Sequence, residues 1–203
     1  MTALPLLLPL ALAAGTGSAT LRSGPGDGKV VMRVYKKGLF SPFAHDHAFQ
    51  PGRWSATAEL PDGDPARARV AVRIDARTLE DHAEGLSEAD RRKVSGQARG
   101  ADLLDVERHP EITWRCEGLE LDAPGEGGAR KGTAHGQLAL HGQERPLDLA
   151  VEATPDGPGW RVKARGRIRQ SGYGIRPFSS MGGALAVKDQ VDIEVDLVLR
   201  PER

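Results

Sequence analysis

The sequence has a single cysteine, Cys116, so no internal disulfide can form and the fold must be held by burial and hydrogen bonding. Alternation puts Cys116 on the face of Ile112 and Trp114, the setting of a buried, inert thiol. Aromatic residues make up only 4% of the chain, so a core has to be built mainly from Val, Leu, Ile and Ala. Neither sign of charge is in excess: 28 basic residues face 28 acidic ones, which argues against a dedicated nucleic-acid binder with its basic surplus. No apolar run is long enough to cross a bilayer as a helix. There is no G-x-S-x-G, no HExxH and no phosphate-binding glycine loop running into a helix, so the motif-borne hydrolase and nucleotide-binding readings have no anchor.

What is present begins with an apolar opening, MTALPLLLPLALAAG, broken by Pro5 and Pro9. It has the outline of a secretory signal but lacks a basic residue before Arg22. Residues 1–28 are therefore expected to be a signal peptide and flexible leader, and the protein to be periplasmic or secreted. A length of 203 residues suffices for one domain with a sizeable core, here 29–200. Gly and Pro are plentiful, at 25 and 14, and punctuate the chain into short runs.

Those runs alternate. Val30, Met32 and Val34 share a face, as do Trp54, Ala56, Ala58 and Leu60. Val70, Val72 and Ile74 alternate with Arg69, Ala71 and Arg73, the period of a half-buried strand. Further strands are expected over about 111–121, 132–141, 146–154, 159–169 and 190–199, with turns at PDGDP (61–65), GEGG (125–128) and PDGPG (155–159) and a hairpin at 142–145. Ser87-Glu88-Ala89-Asp90 reads as a capping box that opens one short surface helix near 87–99. About eight strands, each with one apolar face, hide that face and their edges best by closing into an antiparallel barrel. A two-sheet sandwich is the competing arrangement. Arg161, Lys163, Arg165, Arg167 and Arg169 form a basic stripe, expected to pair with Asp192, Glu194 and Asp196 across neighbouring strands.

The segment richest in chemistry is Phe40-Ser41-Pro42-Phe43-Ala44-His45-Asp46-His47-Ala48-Phe49. If extended, His45 and His47 point one way and Asp46 the other. Two histidines at that spacing could chelate a metal with a third ligand from His141 or His135, or could simply be polar groups at a barrel mouth. His141, at a hairpin, could hydrogen-bond a turn carbonyl. No cofactor is expected.

The order and spacing of several motifs resemble the YceI-like family, the bacterial polyisoprenoid-binding proteins. The likeness covers roughly 29–199. It is carried by Ala44-His45-Asp46-His47, by Leu103-Leu104-Asp105 leading to Arg108-His109-Pro110-Glu111-Ile112-Thr113-Trp114, by Gly136-Gln137-Leu138-Ala139-Leu140-His141-Gly142 with Arg145-Pro146-Leu147, and by Gln170-Ser171-Gly172-Tyr173-Gly174-Ile175. At Gly172 many relatives have aspartate, and the His-Asp-His segment belongs to a variant form of the family. The resemblance implies an all-β, extended, eight-stranded lipocalin-like barrel with an apolar tunnel. It implies a carrier of an isoprenoid or quinone-type lipid rather than an enzyme, in transient contact with a membrane or membrane protein; a homodimer is left open. The tunnel is then expected to be lined by Val70, Val72, Ile74, Trp114, Leu138, Leu140, Val162, Val195 and Leu197. The headgroup would meet His45, Asp46 and His47 at the mouth, near Phe43, Phe49 and His141. Two alternatives stand beside this: a metal-dependent or serine hydrolase using His45, Asp46 and His47, and a ligand-free accessory barrel. Inward apolar alternation is the same for a packed core and for a cavity.

Overall fold

The computed structural model describes residues 18–39 and 45–202; the signal-like opening, Phe40 and Phe43 lie outside these. The strands in chain order are β1 (Ala19–Ser23), β2 (Gly28–Lys37), β3 (His47–Pro51), β4 (Trp54–Leu60), β5 (Arg69–Asp75) and β6 (Leu79–Asp81). After helix α1 (Glu88–Arg99) come β7 (Glu111–Leu121), β8 (Arg130–Leu140), β9 (Gln143–Pro146), β10 (Leu149–Asp156), β11 (Gly159–Arg169), β12 (Ser179–Ser180) and β13 (Leu185–Pro201).

Eight of these strands close into an antiparallel ring, β1–β4–β5–β7–β8–β10–β11–β13, sealed where Leu21 and Arg22 of β1 meet Pro201 and Arg200 of β13. β13 has 17 residues; one edge pairs with β11, and the other serves two neighbours in turn. Its last residues pair with β1, while Ala186 to Leu197 pair with β2. Beyond β2 the wall continues through β3 to β6. No pairing joins β6 to β7 among the described residues, so the ring is complete at one end and parted at the other. Helix α1 packs against β6 at the parted end.

The local reasons are those of the sequence. Ser87 caps α1: its Oγ accepts the Asp90 N–H at 3.1 Å and donates to the Asp90 carboxylate at 2.6 Å. His141 and Gly142 both take positive φ, 52° and 71°, which fits the tight β8–β9 hairpin to the strand twist. The charge stripe is paired in part: Arg161 grips Asp196 at 3.0 and 2.9 Å, and Arg167 reaches Asp192 at 2.7 Å. Glu194 instead takes Arg33 of β2 at 3.1 Å, because β13 lies between β11 and β2.

Two expectations need correcting. The flexible leader expected within 1–28 contains a strand: Ala19–Ser23 seals the ring, with Leu21 buried. The run expected over 146–154 is divided. Leu147 leaves the ladder between β9 and β10, and its N–H bonds the Gly136 carbonyl at 2.8 Å.

Candidate ligand cavity

Inward side chains are small on several strands, among them Ala56 and Ala58 on β4, Ala134 on β8 and Ala164 on β11, all buried. Eight strands enclose just enough room for side chains to fill, or for one small ligand. With alanine and valine facing inward the filling is incomplete. A cavity of about 590 Å³ occupies the parted end. Met32 and Val34 of β2, Phe49 of β3, Val72 and Ile74 of β5, Ile112 and Trp114 of β7, and Leu138 and Leu140 of β8 form its wall. Ile168 of β11 and Val191, Ile193 and Val195 of β13 complete it. A second, smaller space of about 120 Å³ lies toward the sealed end.

Polar groups on the larger cavity gather at its rim: Lys36, His45 and His47 on one side, Asp90, Lys93 and Gln97 of α1 on the other, with Gln170. The helix is therefore at the surface and also walls the cavity, through Val94 and Ala98. The best-built polar group is His47. Its Nδ1 lies 2.7 Å from Oδ2 of Asp81, whose side chain is 0% exposed. The other carboxylate oxygen accepts the N–H groups of Ala48 and Ala83, each at 3.0 Å. Burial pushes the Asp81 carboxyl up, but the bonds from His47, Ala48 and Ala83 outweigh it and hold the group below its ordinary value. An ionised Asp81 accepts a hydrogen bond from Nδ1–H of His47, which leaves Nε2 as the ring atom available to a ligand. Ser95 of α1 locks the pair from behind, its Oγ accepting the Asp81 N–H at 2.8 Å and donating to the Arg91 carbonyl at 2.7 Å.

The sequence matches the YceI-like domain over residues 37–199, most of the chain. This chain belongs to the YceI-like family. Solved structures of the same fold agree. A polyisoprenoid-binding domain from Saccharophagus degradans, implicated in plant cell wall breakdown, superposes with a TM-score of 0.62 at 13% identity, covering 92% of this chain and 100% of that one. BcnA of Burkholderia cenocepacia gives 0.59 at 17%, covering 83% and 95%. The YceI protein of Campylobacter jejuni gives 0.54 at 14%, covering 76% and 84%. No curated protein matches the sequence.

In this YceI-like barrel, His45, His47, Phe49, Val72, Ile74, Trp114, Leu138, Leu140 and Val195 all line the larger cavity. Val162 and Leu197 line the smaller one, along with Val70. Asp46 is not on the wall; its carboxylate accepts the Lys36 N–H at 2.9 Å. His141 is also elsewhere. Its Nδ1 is 3.0 Å from the Tyr173 carbonyl oxygen, and its ring meets that of His109 edge-on at 4.9 Å. His135 faces Asp148 at 3.1 Å on the outer surface. The suggested third metal ligands thus do not join His45 and His47, and no group of three His, Cys, Asp or Glu forms a metal-binding set among the described residues. Burial raises the Cys116 thiol, and its Sγ bonds the Gly118 carbonyl at 3.2 Å, which fits an inert thiol.

Sequence reasoning missed Asp81 and the rim of α1. Asp81 sits in Glu80-Asp81-His82, a charged run that reads as solvated. The one available signal was Leu79-Glu80-Asp81 as a short alternating strand, in which Leu79 and Asp81 share the buried side.

Proposed function

We propose that this YceI-like protein binds an apolar, isoprenoid-type lipid in the larger cavity, as a carrier rather than an enzyme. The observation that carries the reading is the cavity itself, an apolar space of about 590 Å³ whose polar groups stand only at the rim. Each methylene moved from water into such a wall gains about 0.8 kcal/mol, part of which offsets the cost of ordering the chain. The polar end of the ligand meets His45 and His47. A ring whose Nδ1–H is committed to Asp81 offers Nε2 to the hydroxyl of a prenyl alcohol or a quinol.

The hydrolase alternative is less well supported. Asp46, the acid it relied on, bonds the Lys36 backbone, and the carboxylate beside His47 is Asp81. The Ser95 hydroxyl next to that pair is engaged with the backbone of Asp81 and Arg91. We further propose a periplasmic or secreted location, on the apolar opening of the chain, and transient delivery at a membrane, which a carrier of a water-insoluble lipid requires.

The experiment is mass spectrometry of organic extracts from protein purified without detergent, with prenyl alcohols and quinones added back to delipidated protein. Recovery of a prenyl lipid at near-stoichiometric occupancy is expected. An empty protein that also takes up neither class would overturn the reading.

A further inference from the structure

Trp114 stands between the two spaces of the barrel. Val72, Trp114, Leu149 and Val195 line both cavities, and they come from four different strands, β5, β7, β10 and β13. Together they ring the waist, and the indole is the largest group in that ring. It is fixed on two sides. A Cβ on Gly136 of β8 would come within 2.6 Å of Cε2 and Cζ2 of Trp114, so the ring packs directly against that backbone and only glycine fits beneath it. The indole N–H donates to the Leu147 carbonyl at 3.0 Å in a buried setting. Leu147 is in turn tied to Gly136 through its own N–H at 2.8 Å. Swinging the ring aside would strand a buried donor and an acceptor, so the closed position is the favoured one. Beyond it, the smaller space is lined by apolar side chains alone, such as Ala58, Leu60, Val151, Val162 and Leu199. Nothing there would fix a headgroup, but a hydrocarbon tail would suit it.

We propose that Trp114 is the specificity-determining residue of this barrel: it ends the bound chain at the waist and so selects isoprenoids short enough to fit the larger cavity. The proposal rests on the lipid-binding reading above. A longer chain has to leave its excess in water at the mouth or displace the indole. Further isoprene units therefore add no affinity once the larger cavity is full.

The test is equilibrium binding of radiolabelled all-trans prenyl alcohols of graded length, from farnesol to long polyprenols, to delipidated full-length protein. For the wild type, affinity is expected to rise with length and then stop rising. In Trp114→Ala and Trp114→Leu the rise should continue, with a gain of about tenfold or more for the longer alcohols as methylenes enter the second space. Trp114→Leu keeps an apolar filler at the waist and serves if Trp114→Ala does not fold, and the wild-type plateau needs no variant. An unbroken rise in the wild type, or the same plateau in a folded variant, would overturn the role of Trp114. Absence of binding at every length would overturn the lipid-binding reading itself and the proposal with it.

Discussion

Nδ1 of His47 on β3 lies 2.7 Å from Oδ2 of Asp81 on β6, the pairing by which a buried carboxylate orients the ring at the cavity rim. The same carboxylate ties β3 to the approach of α1, through the N–H groups of Ala48 and Ala83. It therefore has a structural task as well as a positioning one.

Asp81→Ala removes the acceptor for all three donors. A loss of about 2–4 kcal/mol in stability is expected in chemical denaturation. The pH dependence follows from the direction of the Asp81 shift. Its folded pKa is below the ordinary 3.8, so its stabilisation is complete above that value and is lost as pH falls through the folded pKa. The gap in Tm between wild type and Asp81→Ala should therefore be constant near neutrality and narrow on acidification below about pH 4. A gap that widened there would contradict the assignment.

Replacing His45 and His47 together by Ala takes away two of the rim groups and leaves the side chains of the apolar wall in place. Affinity for a prenyl alcohol should fall by about three- to tenfold, the worth of one or two exposed-rim hydrogen bonds. Affinity for a hydrocarbon of equal length should be unchanged. Equal losses for both ligands would show that the histidines shape the cavity rather than read the headgroup.

Leu140→Trp places a large ring on the wall of the larger cavity, where Leu140 is buried. Filling empty space costs little if the ring has room, so the melting temperature should hold while lipid occupancy after extraction drops to near zero. Retention of full occupancy would place the ligand elsewhere.

Ser87→Ala deletes the cap of α1, at a cost of about 1 kcal/mol. Because Val94 and Ala98 of that helix wall the cavity, the effect should appear in two measurements: faster amide exchange across Glu88–Arg99 and faster lipid dissociation. An unchanged dissociation rate would separate the helix from the ligand path.

A chain beginning at Gly24 lacks β1, so β4 and the end of β13 become open edges. Exposed edges pair with other chains, and light scattering should show association or aggregation where the longer chain stays dispersed. A well-behaved monomer would mean that the seal between Leu21 and Pro201 contributes little.

Alternation was enough to recognise most of the ring, because a two-residue period depends only on adjacent positions. Glu111–Leu121 and Gly159–Arg169 are strands with the ends the sequence suggested, and the Ser87 box marks the start of α1. The outward charges on β11 and β13 followed from the same period. Which cation each acid meets did not, since Glu194 can turn to either neighbour of β13 and takes Arg33. β1 was illegible because five residues with one large apolar side chain carry no period; only closure of the ring makes them a strand. Asp81 looked solvated because burial of a charge depends on partners distant in sequence, here His47 and Ser95. The cavity was illegible for a deeper reason. Its volume is what remains when side chains from many strands are placed inside a ring whose width is set by strand number and tilt. Likewise the inward direction of Trp114 could be read from its neighbours, but its place across the waist depends on Gly136 and Leu147, brought beneath it by the pairing of β7 with β8.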